Sequence, residues 1–133
     1  MSDETTLLPS KRIALAAQTA CVLEVCAPKP GNVNRQHDFS DLRFEDFLLS
    51  AIAIGPAMER AGQQPVGQTV FQAIADTHRL VRTNTNLGIV LLLAPLAKTL
   101  ATLPDPAPDA PKERLWRGVQ ERLPATLAAL TVE

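Results

Sequence analysis

Apolar residues recur at helical spacing in one segment after another of this chain, and proline, glycine or, at Thr83 to Asn86, a polar stretch breaks the pattern between them. From Ser10, which can cap, to about Ala27, the residues Ile13, Ala16, Ala17, Ala20, Cys21 and Glu24 form an apolar stripe carrying one carboxylate, and Pro28 and Pro30 stop it. A second helix is expected from near Leu42, capped by Ser40 or Asp41, with Phe44, Phe47, Leu48, Ala51, Ile52 and Ile54 facing inward. Gly55-Pro56 kinks it and Gly62 ends it. Pro65 to Gly67 opens a third, with Val70, Phe71, Ile74 and Leu80-Val81 at helical spacing. A fourth, about Leu87 to Leu103, is apolar nearly all round, which predicts a central position. Pro104 to Pro111 favours extended backbone. Lys112 to Leu123 is amphipathic, with Leu115, Trp116, Val119 and Leu123 on one side, and Pro124 to Leu130 adds a helical turn or another helix. No strand-like alternation and no fixed-period repeat is present, so the expected class is all-α, a compact multi-helix domain around a central apolar helix.

Composition narrows this further. Aromatic residues make up 4% of the chain, with no Tyr and only Trp116 as tryptophan, so the core must be Leu, Ile, Val and Ala, and Trp116 is expected to pack. A net charge of −1 offers no footprint for nucleic acid. Cys21 and Cys26 share one helix but point to different faces, which predicts buried thiols rather than a disulfide. The apolar run Leu87 to Ala97 holds about 11 residues where roughly 20 are needed to span a bilayer, and the N-terminus lacks a signal-peptide pattern. The expectation is a cytoplasmic protein with no membrane partner.

Residues 1–9 are expected to be a flexible arm and 10–133 a single helical domain, with 104–111 as its connector. Thr131-Val132-Glu133 resembles an N-cap and first turn, which predicts that the chain is the N-terminal half of a longer domain.

Two polar stretches interrupt the helices. In the first, Pro28-Lys29-Pro30-Gly31-Asn32-Val33-Asn34-Arg35, prolines stiffen the backbone and Gly31 lets it turn. A lysine so held suits phosphate, and Arg35 adds a bidentate cation. Glu24 before the loop and Asp38 after it are oxygen ligands of the kind Mg²⁺ accepts, and His37 could carry a proton. The same residues also allow a plainer arrangement, in which Lys29 and Arg35 pair with Glu24 and Asp38. The second stretch, Asn84-Thr85-Asn86, precedes the most apolar helix, and Thr85 or Asn86 can cap it, whether as a plain cap or at an anion-binding end.

Glu24, Pro28-Lys29-Pro30-Gly31, Asn34-Arg35, Phe44 to Ser50 and Asn84-Thr85-x-x-Gly88 together resemble the triphosphoribosyl-dephospho-CoA synthase family, over about Ile13 to Leu100. The resemblance implies an all-helical enzyme that moves the triphosphoribosyl group of ATP to the 2′-hydroxyl of 3′-dephospho-CoA or a related acceptor and releases adenine. It further implies Lys29 and Arg35 on the triphosphate, Glu24 and Asp38 as catalytic carboxylates that hold or orient Mg²⁺ carried as Mg-ATP, and Asn84 and Asn86 lining the ribose or phosphate pocket. Gly31, Asn34 and Thr85 complete the expected substrate-binding set. Lyase-associated members read Pro-Lys-Pro-Gly-Leu-Val-Asp-Arg and Val-Asn-Thr-His-Lys-Gly; here Asn32, Asn34, Asn86 and Leu87 stand at the Leu, Asp, His and Lys positions, as in a divergent branch. Family members are also roughly twice as long, so the domain is expected to be incomplete relative to them. Displacing adenine builds oxocarbenium character at C1′, which a carboxylate stabilises while a base takes the acceptor's proton. The alternatives are a nucleotide- or phosphate-binding helical protein without transfer, or an inactive fragment; a homodimer could complete a truncated core.

Overall fold

The computed structural model describes residues 6–130, and the Thr131-Val132-Glu133 segment lies outside them. Six α-helices and one 3₁₀ turn make up the regular structure among the described residues: α1 (Ser10–Cys26), α2 (Phe44–Ala53), α3 (Gly55–Glu59), the 3₁₀ turn Ala61–Gln63, α4 (Val66–Leu80), α5 (Leu87–Leu100) and α6 (Lys112–Ala128). The class is all-α, as the periodicity predicts. No described helix is long and apolar enough to cross a membrane.

The helices meet through small residues. Ala14, Ala17, Ala51, Ala57, Ala61, Ala73, Ala94 and Ala97 are buried, with Ile13, Ile54, Met58 and Val90 as the larger members of the core. Small side chains let helix axes approach closely, so dispersion contacts accumulate between backbones rather than between large side chains. This inverts several expectations that gave core positions to the largest residues. Ile52, Phe71, Leu80 and Trp116 are more than half exposed, while Thr69, Ala73 and Thr77 form the buried stripe of α4. On α1 the inward set is Ile13, Ala14, Ala17, Cys21 and Val25; Ala16, Ala20 and Glu24 face out.

Helix α5 packs against α1, α4, α6 and the 3₁₀ turn. Its inner stripe is Val90, Ala94, Pro95, Ala97 and Thr99, but Leu91 and Leu92 are exposed. The helix is apolar all round, yet covered on only part of its circumference.

Prolines shape the elements without ending all of them. Pro56 has no N–H for the carbonyl of Ile52, and the side-chain amide of Gln18 on α1 donates to that carbonyl at 2.9 Å instead. The break between α2 and α3 is thereby tied to α1, at a point where a Cβ on Gly55 would stand 2.4 Å from the Gln18 amide nitrogen. Pro124 lies inside α6, so the chain from Pro124 continues that helix to Ala128 instead of starting another. Helix α2 begins at Phe44 rather than near Leu42; Asp38 accepts the Phe44 N–H at 2.7 Å and Asp46 the Arg43 N–H at 3.0 Å, and these carboxylates serve where Ser40 or Asp41 was expected.

The N-terminal residues that are described pair with the chain just past α5 and with the connector. Leu8 N–H donates to Leu103 at 2.9 Å, Asp105 N–H donates to Thr6 at 2.8 Å, and Arg12 pairs with Asp105. The connector gives this arm an edge of free backbone groups, and pairing satisfies both.

Candidate functional site

The loop after α1 is folded around one amide. Gly31 takes φ = 79°, in the left-handed region open to glycine, and turns the chain after the two prolines. Asn34 is 5% exposed. Its Oδ1 accepts the Gln36 N–H at 3.0 Å, and its Nδ2 donates to the carbonyls of Asn32 at 3.2 Å and Lys29 at 3.5 Å. Its backbone pairs reciprocally with His37, at 3.0 Å in each direction, closing a turn over Arg35-Gln36. Asn34 is therefore occupied with holding the loop, the local side-chain-to-backbone bonding that asparagine favours in turns.

The charges around the loop divide. The Lys29 ammonium pairs with the Glu24 carboxylate, both partly exposed. Arg35 points its guanidinium back to Cys26, with Nη2 3.5 Å from Sγ. Asp38 is engaged at the start of α2. Of the two ion pairs that spacing allowed, only Lys29 with Glu24 is formed. Cys21, buried one turn before Glu24, has its thiol pKa pushed up to about 11, first by burial and then by the Glu24 charge.

The second polar stretch starts α5. Asn84 Oδ1 accepts the Leu87 N–H at 3.1 Å, so Asn84 is the residue whose side chain caps the helix. Thr85 shares a hydrogen bond with Ser50 of α2. Asn86 is 7% exposed; its Nδ2 donates to Thr77 Oγ1 at 3.0 Å, and that hydroxyl donates to Ala73 O at 2.8 Å. Asn86 Oδ1 is buried and has no partner. An orphaned acceptor of this kind costs about 1–3 kcal/mol. The N–H groups of Gly88 and Ile89 follow in the first turn, where no helix carbonyl reaches.

The two stretches, more than fifty residues apart in sequence, meet at a cavity of about 430 Å³. Glu24 and Asn32 line one side, Thr85 and Asn86 the other, and Phe39 and Phe47 close it with apolar surface. Lys29, Gly31, Asn34 and His37 line a second, open hollow of about 380 Å³ on the far side of the loop. The Glu24–Lys29 pair links the two hollows. Neither hollow is lined by Arg35, Asp38 or Asn84. Phe39 and Thr77 belong to the site but were not singled out from sequence, while Asn32, Phe47 and Ser50 were named there without a place in the site. Phe39, the aromatic in a loop otherwise without apolar periodicity, was the available signal.

Among the described residues no three His, Cys, Asp or Glu side chains gather as a metal cage. One carboxylate on the cavity, Glu24, is what a Mg²⁺ held mainly by polyphosphate oxygens requires, so the donor set fits a metal arriving with a nucleotide.

Fold and site together define an all-α protein with a cavity of mixed polar and apolar lining between a helix N-terminus and the loop that follows α1. Over residues 10–133 the chain matches the CitG family, described as ATP:dephospho-CoA triphosphoribosyl transferase, and it belongs to that family. No curated protein and no solved structure gives a match.

Proposed function

We propose that this protein is a transferase that binds Mg-ATP at the α1–α5 junction and moves its triphosphoribosyl group to the 2′-hydroxyl of 3′-dephospho-CoA or a related nucleotide acceptor. The C1′–N9 bond of ATP breaks, a bond from C1′ to the acceptor oxygen forms, the hydroxyl proton leaves and adenine departs after taking up a proton. The observation that carries this reading is the meeting of the two motif stretches on one cavity, in a chain of this family.

Each residue has a task that its position allows. The Gly88 and Ile89 N–H groups of α5 suit phosphate oxygens, because they are unpaired donors at the positive end of a helix dipole. Lys29 lies on the loop beside Glu24 and can exchange that carboxylate for phosphate, which releases Glu24 toward the cavity. Glu24 then stabilises positive charge at C1′ or takes the hydroxyl proton. Glu24 would hold a Mg²⁺ brought in with the nucleotide, and the ion would neutralise polyphosphate charge. Asp38 keeps α2 in place, and Asn34 keeps the loop in place. Arg35 is oriented by Cys26 rather than by an acid.

The test is to incubate the protein with ATP, Mg²⁺ and 3′-dephospho-CoA and to measure free adenine. Release that depends on all three supports the transferase. ATP binding without adenine release, across a panel of nucleotide acceptors, would leave a nucleotide-binding protein instead.

A further inference from the structure

We infer that Asn86 recognises a neutral hydrogen-bond donor on the nucleotide, a sugar hydroxyl or the exocyclic amine of the base, and not a phosphate. The inference rests on reading the α1–α5 cavity as the nucleotide site.

The argument turns on which atom of the Asn86 amide is unsatisfied. Oxygen and nitrogen of an amide are interchangeable in shape, so the hydrogen-bond network must orient it. Thr77 supplies that orientation. Its single hydroxyl proton is directed to Ala73 O, so toward Asn86 it can only accept. The amide nitrogen must therefore face Thr77, and the oxygen is the atom left over. A lone oxygen acceptor attracts N–H and O–H groups and repels phosphate oxygens, which are acceptors themselves.

The surroundings agree. No Lys or Arg lines this cavity, and its one formal charge is the Glu24 carboxylate. Phe39 and Phe47 add apolar surface suited to a sugar or base face. Anion-binding capacity lies beside it, in the first-turn N–H groups of α5 and in Lys29 on the far side of the loop. A nucleotide presents both kinds of group a few bonds apart. The helix end can take a phosphate while Asn86, one residue earlier, takes a donor. Such a site rejects an analogue that lacks the donor, because the buried oxygen then stays unpaired.

The experiment measures equilibrium binding of ATP, 2′-deoxy-ATP, 3′-deoxy-ATP, the purine riboside triphosphate that lacks the amine, and inorganic tripolyphosphate, each with Mg²⁺. One of the three analogues is expected to bind about 10- to 100-fold more weakly than ATP, and its identity tells hydroxyl from amine. Asn86→Ala is expected to weaken ATP to the level of that analogue, to bind that analogue as the unmutated protein does, and to leave tripolyphosphate unchanged. Circular dichroism checks its fold, and the analogue series on the unmutated protein carries the test even if the variant does not fold. Three analogues within twofold of ATP, or a loss of tripolyphosphate binding in a folded Asn86→Ala, overturn the assignment while the nucleotide site stands. Failure of ATP itself to bind the unmutated protein overturns the site and the assignment together.

Discussion

Two proline-rich segments break the helices of this protein, and they do different things. Pro28 to Gly31 opens a loop organised from within by a buried amide, Asn34, and flanked by an ion pair that joins two hollows. Pro104 to Pro111 is held from outside, by backbone pairing with residues 6–8 and by Arg12 on Asp105. Proline fixes φ at several positions in both segments, which stiffens them. Pro111 also precedes a helix N-terminus, that of α6, but only the loop opened by Pro28 meets a cavity lined by a residue with an unpartnered buried acceptor, Asn86. Rigidity is common to a staple and a site; unsatisfied polar groups beside a cavity mark the site.

The comparison can be broken at several points, with effects that should fall in a definite order. Lys29→Ala should weaken ATP by about 10- to 150-fold, the worth of a charge-assisted bond, in a binding titration. The same change should cost under about 1 kcal/mol of stability, because its pair with Glu24 is partly solvated. Asn34→Ala should do the reverse, losing about 1–3 kcal/mol in chemical denaturation as the Asn32 and Lys29 carbonyls lose their donor and the Gln36 N–H its acceptor. Equal losses of stability in the two variants would erase the distinction between ligand-facing and loop-holding residues. Gly31→Ala forces a side chain into left-handed backbone and should cost about 1–2 kcal/mol, although no neighbouring atom crowds the new Cβ.

The staple should respond more weakly. Arg12→Ala breaks an exposed ion pair and should cost at most about 1 kcal/mol, with ATP affinity unchanged. A change in affinity there would mean that the two proline segments communicate. The smallest effect at neutral pH concerns Cys21. Its thiol pKa is raised in the folded state, so the folded protein holds that proton more tightly than the unfolded chain does. The resulting stability is complete below the unfolded thiol's pKa and is lost as pH rises through about 11. Denaturation midpoints measured between pH 8 and 11 should fall less steeply for Cys21→Ala.

Helix positions were legible in the sequence because 3.6-residue periodicity and proline punctuation are local signals. The faces those helices bury were less so. Phe71, Ile52 and Trp116 were expected inside on hydrophobicity and are exposed, whereas Ala51 and Val119, expected inside beside them, are buried, and Ala73 is buried where Phe71 was expected. That choice depends on interhelical distance, which no single segment encodes. At the site, the Asn84-Thr85-Asn86 stretch was legible as the start of α5, since capping chemistry is local. The division of labour within it was not: Asn84 caps, while Thr85 and Asn86 turn to Ser50 and Thr77 on other helices. Asn34, expected on the substrate, bonds its own loop, and Asp38, expected on a metal, bonds the start of α2, structural contacts that the sequence did not indicate. Polar residues between helices look alike in sequence whether they serve a ligand or a backbone.

The central claim is that the loop from Pro28 and the start of α5 form one nucleotide site while the second proline segment is structural. Backbone-amide NMR during a titration with Mg-ATP tests this most directly. The account predicts shifts concentrated at Asn32, Val33 and Thr85 to Ile89, with the amides of Asp105 to Ala110 unmoved. Shifts centred on residues 104–111, or none in either motif stretch at saturating Mg-ATP, would contradict it.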